Sequence, residues 1–223
     1  MSSTYGKKFT LSLFGQSDKA QYGVLIDGVA SGTAIDERDI IRRIDSFSDG
    51  GVQTRVVSGI KDGKTTGAPV CALFTDDAPF QDVRNTSVAR PGTPDFGYFA
   101  RFRGANADEP GEKHLPGLVF AGALAKAILA RRDIEVHAHL RSIGEIEDTP
   151  FTDLPLSRET FDVIGRGALP VYDKRKEVLM KLKLEKTKGM GDTIGGSVEC
   201  AVTGLPAGAG SPVLNGIDAH IAG

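Results

Sequence analysis

Near the start of the chain, Phe9, Leu11 and Leu13 alternate with Thr10 and Ser12, the period-two pattern of a half-buried strand. Tyr22 to Asp27 predicts a second strand, closed by Gly28. Asp36 offers a helix N-cap, and Ile40, Ile41 and Ile44 supply one apolar face of a short helix. Val52 to Ser58 and Ala68 to Thr75 predict two more strands. The turn-rich run Lys61 to Gly67 joins them as a hairpin.

From Asp76 to Gly117 the periodicity stops. Pro79, Pro91, Pro94, Pro110 and Pro116 punctuate a segment that predicts a long loop excursion over about residues 76–117. Leu118 to Arg132 then predicts an alanine-rich helix, whose small side chains suit a central, buried position. In Ile134 to Leu140 the apolar Ile134, Val136, Ala138 and Leu140 alternate with Glu135, His137 and His139. The second set predicts an exposed polar strand face. Asp173 can cap a helix running to about Lys188, with Val178, Leu179 and Leu182 on one side, and Thr193 to Thr203 predicts the last long strand. Gly28 to Gly32 and Gly204 to Gly208 share a Gly-x-x-x-Gly spacing after a strand, an echo compatible with a duplicated strand–turn–helix unit.

A chain of 223 residues holds one domain or two small ones, and the pattern is read as a single mixed α/β (α+β) domain over 1–223. With 27 basic against 29 acidic residues, no global field draws nucleic acid or anionic lipid. Trp is absent and aromatics make up 7%, which argues against a stacking platform for single strands. The basic run Lys174 to Lys188 is interspersed with acids and is read as a solvated helix face. No window of about 18 apolar residues predicts a membrane span. Met1 to Thr10 has no signal-peptide core, so a cytoplasmic protein is expected, or a stromal one after processing. Cys71 and Cys200 sit in apolar segments and are expected to be reduced, buried thiols.

Three motifs bear on chemistry. Gly59 to Thr65 approaches a phosphate-binding loop, but Ser58 stands where the first glycine is required and a strand follows, so a hairpin turn is expected. His137 and His139 share a strand face with Glu135 but lack a further ligand at a sensible spacing, and no metal site is expected. His114, in the long excursion, is read as a solvated loop histidine.

Several collinear stretches change the picture. Ser3 to Lys7, Phe14 to Ser17 and Tyr22 to Gly28 resemble the opening of chorismate synthase. Ser58 to Pro69 is similar to that family's hairpin. Arg90-Pro91-Gly92 with Asp95, Phe96 and Tyr98 is similar to its next signature. Ala121 to Lys126 resembles its central helix, Ser142 to Ile146 the following strand, and Gly191 to Gly196 and Gly204 to Asp218 its later turns. The resemblance implies a β-α-β sandwich, antiparallel sheet packed on a central helical layer, with this chain forming roughly half of the family fold. It also implies the shikimate-pathway reaction, a 1,4-elimination of phosphate from enolpyruvylshikimate phosphate that needs reduced FMN, in an enzyme that is usually tetrameric.

Carried over residue by residue, the chemistry does not follow. Asp18 stands where the family has its first catalytic histidine, and a group with an ordinary pKa near 3.9 cannot shuttle protons at neutral pH as histidine does. Thr93, after Arg90-Pro91-Gly92, stands where it has the second. Ser46 to Gly50 replaces an arginine-rich string, removing natural clamps for phosphate and carboxylate. Ala105 to Gly111 replaces a flavin-contacting string and puts Asp108 and Glu109 where an arginine is expected.

Three functions are compatible with these residues. One is a non-catalytic member acting by assembly, as a homo-oligomer or with a complementary chain. Another is an enzyme with altered chemistry, or a working lyase completed by another chain, using Asp18, Arg90, Arg101, Arg103 and His114. The third is an anion or small-molecule binder built on Lys64, Arg90 and Arg103.

Overall fold

In a computed structural model of the chain, β1 (Thr4–Gly6), β2 (Thr10–Gly15) and β3 (Gln21–Asp27) form consecutive antiparallel pairs; β2 and β3 lie where strands are predicted, and β1 is an added one. The structure describes residues 4–15, 20–48, 51–76, 96–97, 100, 114–211, 213 and 216–222. They fall into two compact units, Met1–Ile128 and Leu129–Gly223.

In the first unit, β4 (Val52–Ser58) and β7 (Val70–Asp76) complete an antiparallel sheet of order β1-β2-β3-β7-β4. Its inner face is Tyr22, Val24 and Ile26 on β3, opposite Phe74, Ala72 and Val70 on β7, none more than 3% exposed. Helix α1 (Glu37–Ser48) starts where Asp36 Oδ1 accepts the Arg38 and Asp39 amides, and it sends Ile40 and Ile44 into the same core. Helix α2 (Leu115–Ala130) adds Phe120, Ala121 and Leu124. It begins three residues before the predicted start, with Pro116 in the first turn, where a missing N–H is harmless. Gly117 lets α2 lie close on the sheet, since a Cβ there would press on Leu13 and Val24. Most of the excursion predicted over 76–117 lies outside the described residues.

The Lys61 to Gly67 turn holds two short strands, β5 (Ile60–Lys61) and β6 (Lys64–Thr65), paired around Asp62 (φ 51°) and Gly63 (φ 70°). Two successive positive φ values are what a tight two-residue hairpin requires, and Asp-Gly supplies them. The segment after β3 is pinned to this hairpin: Thr65 Oγ1 donates to the Ala30 carbonyl at 2.6 Å and accepts the Thr33 amide at 2.9 Å.

The second unit is built on a sheet of order β10-β8-β9, from β8 (Glu135–Ile143), β9 (Ile146–Glu147) and β10 (Gly196–Thr203). A 3-10 turn (Phe151–Asp153) and three helices accompany it: α3 (Arg158–Gly165), α4 (Lys174–Gly189) and α5 (Ile217–Ala222). Ser157 caps α3, and Asp173 caps α4 by accepting the Arg175 amide. The predicted α4 side is reversed. Met180 is fully buried, whereas Val178, Leu179 and Leu182 are 57%, 48% and 56% exposed.

The Gly-x-x-x-Gly echo marks a structural repeat. In β2–β3, Thr10, Leu11, Leu13 and Gly15 face Asp27, Ile26, Val24 and Tyr22. In β8–β10, Glu135, Val136, Ala138 and Leu140 face Thr203, Val202, Cys200 and Val198, so the two pairs match position for position. Gly28 and Gly204 end the second strand of each pair at φ 81° and 75°. A Cβ on Gly28 would collide with the Lys8 carbonyl oxygen, and one on Gly204 with that of Asp133. Both therefore require glycine twice over, for backbone conformation and for space.

Candidate functional site

A linked group of ionisable side chains is built on β8, on the face predicted to be exposed. His139 is 1% exposed, which corrects that prediction. The ring is covered by Phe151 at a centroid distance of 4.3 Å, while His137 stacks on Phe161 of α3 at 3.4 Å. The 3-10 turn and α3 therefore roof the polar side of the sheet with aromatic rings. Alternation located the two faces correctly but could not say which one would be roofed.

His139 lies between two carboxylates. Nδ1 is 3.2 Å from Asp148 Oδ2, and Nε2 is 2.9 Å from Glu199 Oε2 on the neighbouring strand. Asp148 also accepts the Tyr172 amide at 2.6 Å and the Asp173 amide at 3.0 Å, which places it at the entrance to α4. Glu199 Oε2 accepts the Phe151 amide at 2.9 Å. The His139 ring and these donations hold the Glu199 carboxyl below the usual carboxylate range. Both ring nitrogens of His139, both carboxylate oxygens of Asp148 and Glu199 Oε2 have protein partners, and the His139 and Asp148 side chains are closed to solvent. This chemistry ties β8, β10, the 3-10 turn and the start of α4 together. Water or substrate would reach it only through Glu199, whose side chain is 29% exposed.

A second anchor lies at α4. Glu177 Oε1 accepts the Ala168 and Leu169 amides and meets Lys181 Nζ at 2.7 Å. The lysine, then the two amides, bring its pKa to about 2 against an opposing effect of burial.

The residues singled out in the sequence are not gathered into one site. Lys64 stands exposed on β6 at the tip of the β5–β6 hairpin, so the expected turn replaces a phosphate loop there. His114 immediately precedes α2 and is half-buried. Asp18, Arg90, Thr93, Arg101 and Arg103 lie outside the described residues. Among the described residues no His, Cys, Asp and Glu cluster is arranged to hold a metal ion, and no helix is long and apolar enough to cross a membrane. The thiols depart from expectation: Cys71 is half-buried and Cys200 is exposed on β10. The sequence signal missed was Asp148 and Glu199 as partners of His139. Glu199 is 60 residues away along the chain, and only strand pairing brings it near.

Comparison with known proteins places these features in a family. The chorismate synthase family model matches residues 9–223. A chorismate synthase of Methanocella arvoryzae is 30% identical over 98% of this chain and 62% of its own length. One from Nitratidesulfovibrio vulgaris is 33% identical over 98% of this chain and 64% of its own. A solved chorismate synthase structure shares the fold, with a TM-score of 0.77 at 18% identity, over 97% of this chain and 64% of that one. The chain thus spans less than two thirds of the length of these relatives.

Proposed function

Because the chain belongs to the chorismate synthase family, we propose that it keeps the family's scaffold without the family's chemistry and acts through assembly. The observation that carries this reading is the replacement of both expected catalytic histidines, by Asp18 and Thr93. Proton transfer near neutral pH needs a group that titrates there, and neither carboxylate nor hydroxyl does so unaided. Elsewhere the framework is conserved in kind: the hairpin, the small-residue face of α2 and the paired glycine turns are all formed. Function follows the site rather than the scaffold, and here the two have parted.

The described residues do not fit the flavin that the family implies. A flavin phosphate asks for cations converging on a sheltered site, and Lys64, with Lys61 opposite it, sits on an exposed hairpin tip while His137 and His139 face carboxylates. Ala105 to Gly111, where the resemblance puts a flavin contact, carries Asp108 and Glu109.

The test is anaerobic titration of the purified chain with reduced FMN, followed by enolpyruvylshikimate phosphate. The expected outcome is no saturable flavin binding and no chorismate. Turnover would replace this reading with that of a working lyase.

A further inference from the structure

Positive charge is concentrated on α4. Seven of its 16 residues are Lys or Arg and two are Glu, in a chain whose net charge is -2. The inner side of the helix is fully used. Glu177, Met180 and Thr187 recur at helical spacing and are buried within the second unit. Lys174 and Lys181 meet Glu177, and Lys183 meets Glu145 at 2.9 Å. Arg175, Lys186 and Lys188 are exposed and form no ion pair among the described residues.

The outer side is of another kind. Val178 lies one turn from Leu182, and Leu182 one turn from Leu179, so these three exposed residues make one apolar stripe. Cations frame it at both ends and along both edges. Arg175 stands one turn before Val178 and Leu179, and Lys186 one turn after Leu182. Lys181 lies one turn from Val178 on one edge, and Lys183 one turn from Leu179 on the other. Glu185 is the only carboxylate of the helix beside the stripe. A merely solvated face would account for the cations but not for the apolar side chains set among them.

We propose that α4 is a docking surface for an anionic lipid membrane, with the Val178, Leu179 and Leu182 stripe set into the headgroup layer and the surrounding cations on the lipid charges. A helix lying in the plane of a bilayer interface is held by these two contributions together, buried apolar side chains and attraction to anionic headgroups. The Lys and Arg stems line the stripe while their charged heads stay at the level of the phosphates. Other occupants fit less well. The packed Glu177, Met180 and Thr187 side rules out a partner that encloses the helix in a groove. A second copy laid stripe on stripe would bring like charges together. A nucleic acid would set its phosphates against apolar side chains. A flat anionic surface satisfies the stripe and its cations at once. Docking of this kind lies on the membrane rather than through it, and no helix among the described residues is long and apolar enough to cross one. It goes beyond the assembly reading and does not depend on it, since neither a second chain nor a flavin takes part.

The purified chain is mixed with vesicles of phosphatidylcholine alone or with phosphatidylserine added, and binding is read by flotation at low and at physiological salt. Binding is expected only with phosphatidylserine, and more weakly at the higher salt. Arg175→Gln combined with Lys186→Gln should weaken it at least about tenfold. Leu182→Ser leaves the charge unchanged and should weaken it at least about threefold. All three positions are exposed, so circular dichroism should not change. The chain contains no Trp, so Leu182→Trp adds a single indole whose emission should shift to the blue on anionic vesicles. No binding to the phosphatidylserine vesicles, equal binding to both kinds, wild-type binding by Leu182→Ser, or an unshifted emission would each overturn the proposal. Retention on immobilised polyglutamate without vesicle binding would overturn it in favour of an acidic protein partner.

Discussion

Glu199 closes the His139 ring from the side opposite Asp148, its Oε2 lying 2.9 Å from Nε2 and 2.9 Å from the Phe151 amide. Both ring nitrogens are thus engaged, one with each carboxyl group, and the ring bridges β8 to β10 and to the entrance of α4. Removing the ring leaves the buried Asp148 with only the Tyr172 and Asp173 amides as partners and opens a cavity beside Phe151. His139→Ala should lower stability by about 2 kcal/mol, the scale for stripping the partner from a buried hydrogen-bonding group. Urea unfolding followed by circular dichroism measures it. A loss below about 0.5 kcal/mol would mean that the group is no clamp.

Glu177 gives the second unit an acid-sensitive joint. Its ordinary pKa is about 4.3, and the fold holds it at about 2 through Lys181 and the Ala168 and Leu169 amides. A depressed carboxylate contributes stability that is complete above its unfolded pKa and is lost as pH falls through the folded one. The stability difference between wild type and Glu177→Gln should therefore be constant from pH 7 to about 5 and shrink between about pH 4 and 2. Urea midpoints across that range test it, and a difference unchanged at pH 2 would exclude the mechanism.

The contrast between these groups and the strands shows what a sequence displays. Strand and helix positions follow from periodicity, because each residue's neighbours on a face are two or four places away. The hairpin at Asp62-Gly63 was legible for the same reason: its chemistry is local. Whether the His139 face or the Val136 face would be covered depends on Phe151, Phe161 and α4, which approach from elsewhere in the chain. The expectation of buried thiols failed likewise, since an apolar strand face at Cys200 is buried only if something covers it. Apolar side chains at Val178, Leu179 and Leu182 misled for the same reason. They mark a surface fit for burial, and this chain leaves it open.

The two thiols should react in an order set by these surroundings. Cys200 is exposed, while Cys71 is half-buried and burial pushes its pKa up, leaving less thiolate at neutral pH. In dilute protein a disulfide-exchange reagent should modify Cys200 first, and mass mapping of partly modified chains would show it. Faster modification of Cys71 would contradict the burial of β7.

The repeated glycines allow space and conformation to be separated by mutation. Gly28 and Gly32 both have positive φ, as do Gly204 and Gly208. Alanine at any of the four meets the conformational penalty of a left-handed residue, about 1 kcal/mol. At Gly32 and Gly208 nothing lies within 4 Å of the added Cβ, so the loss should stop there. At Gly28 and Gly204 the Cβ also runs into the carbonyl of Lys8 or Asp133, and the strand pair must part to admit it. Gly28→Ala and Gly204→Ala should therefore each cost at least about 2 kcal/mol, and more than Gly32→Ala and Gly208→Ala by a similar margin in both units. Four chemical denaturation curves decide it. Equal losses within each pair would mean that the close approach relaxes freely, and the repeat would then be one of conformation alone.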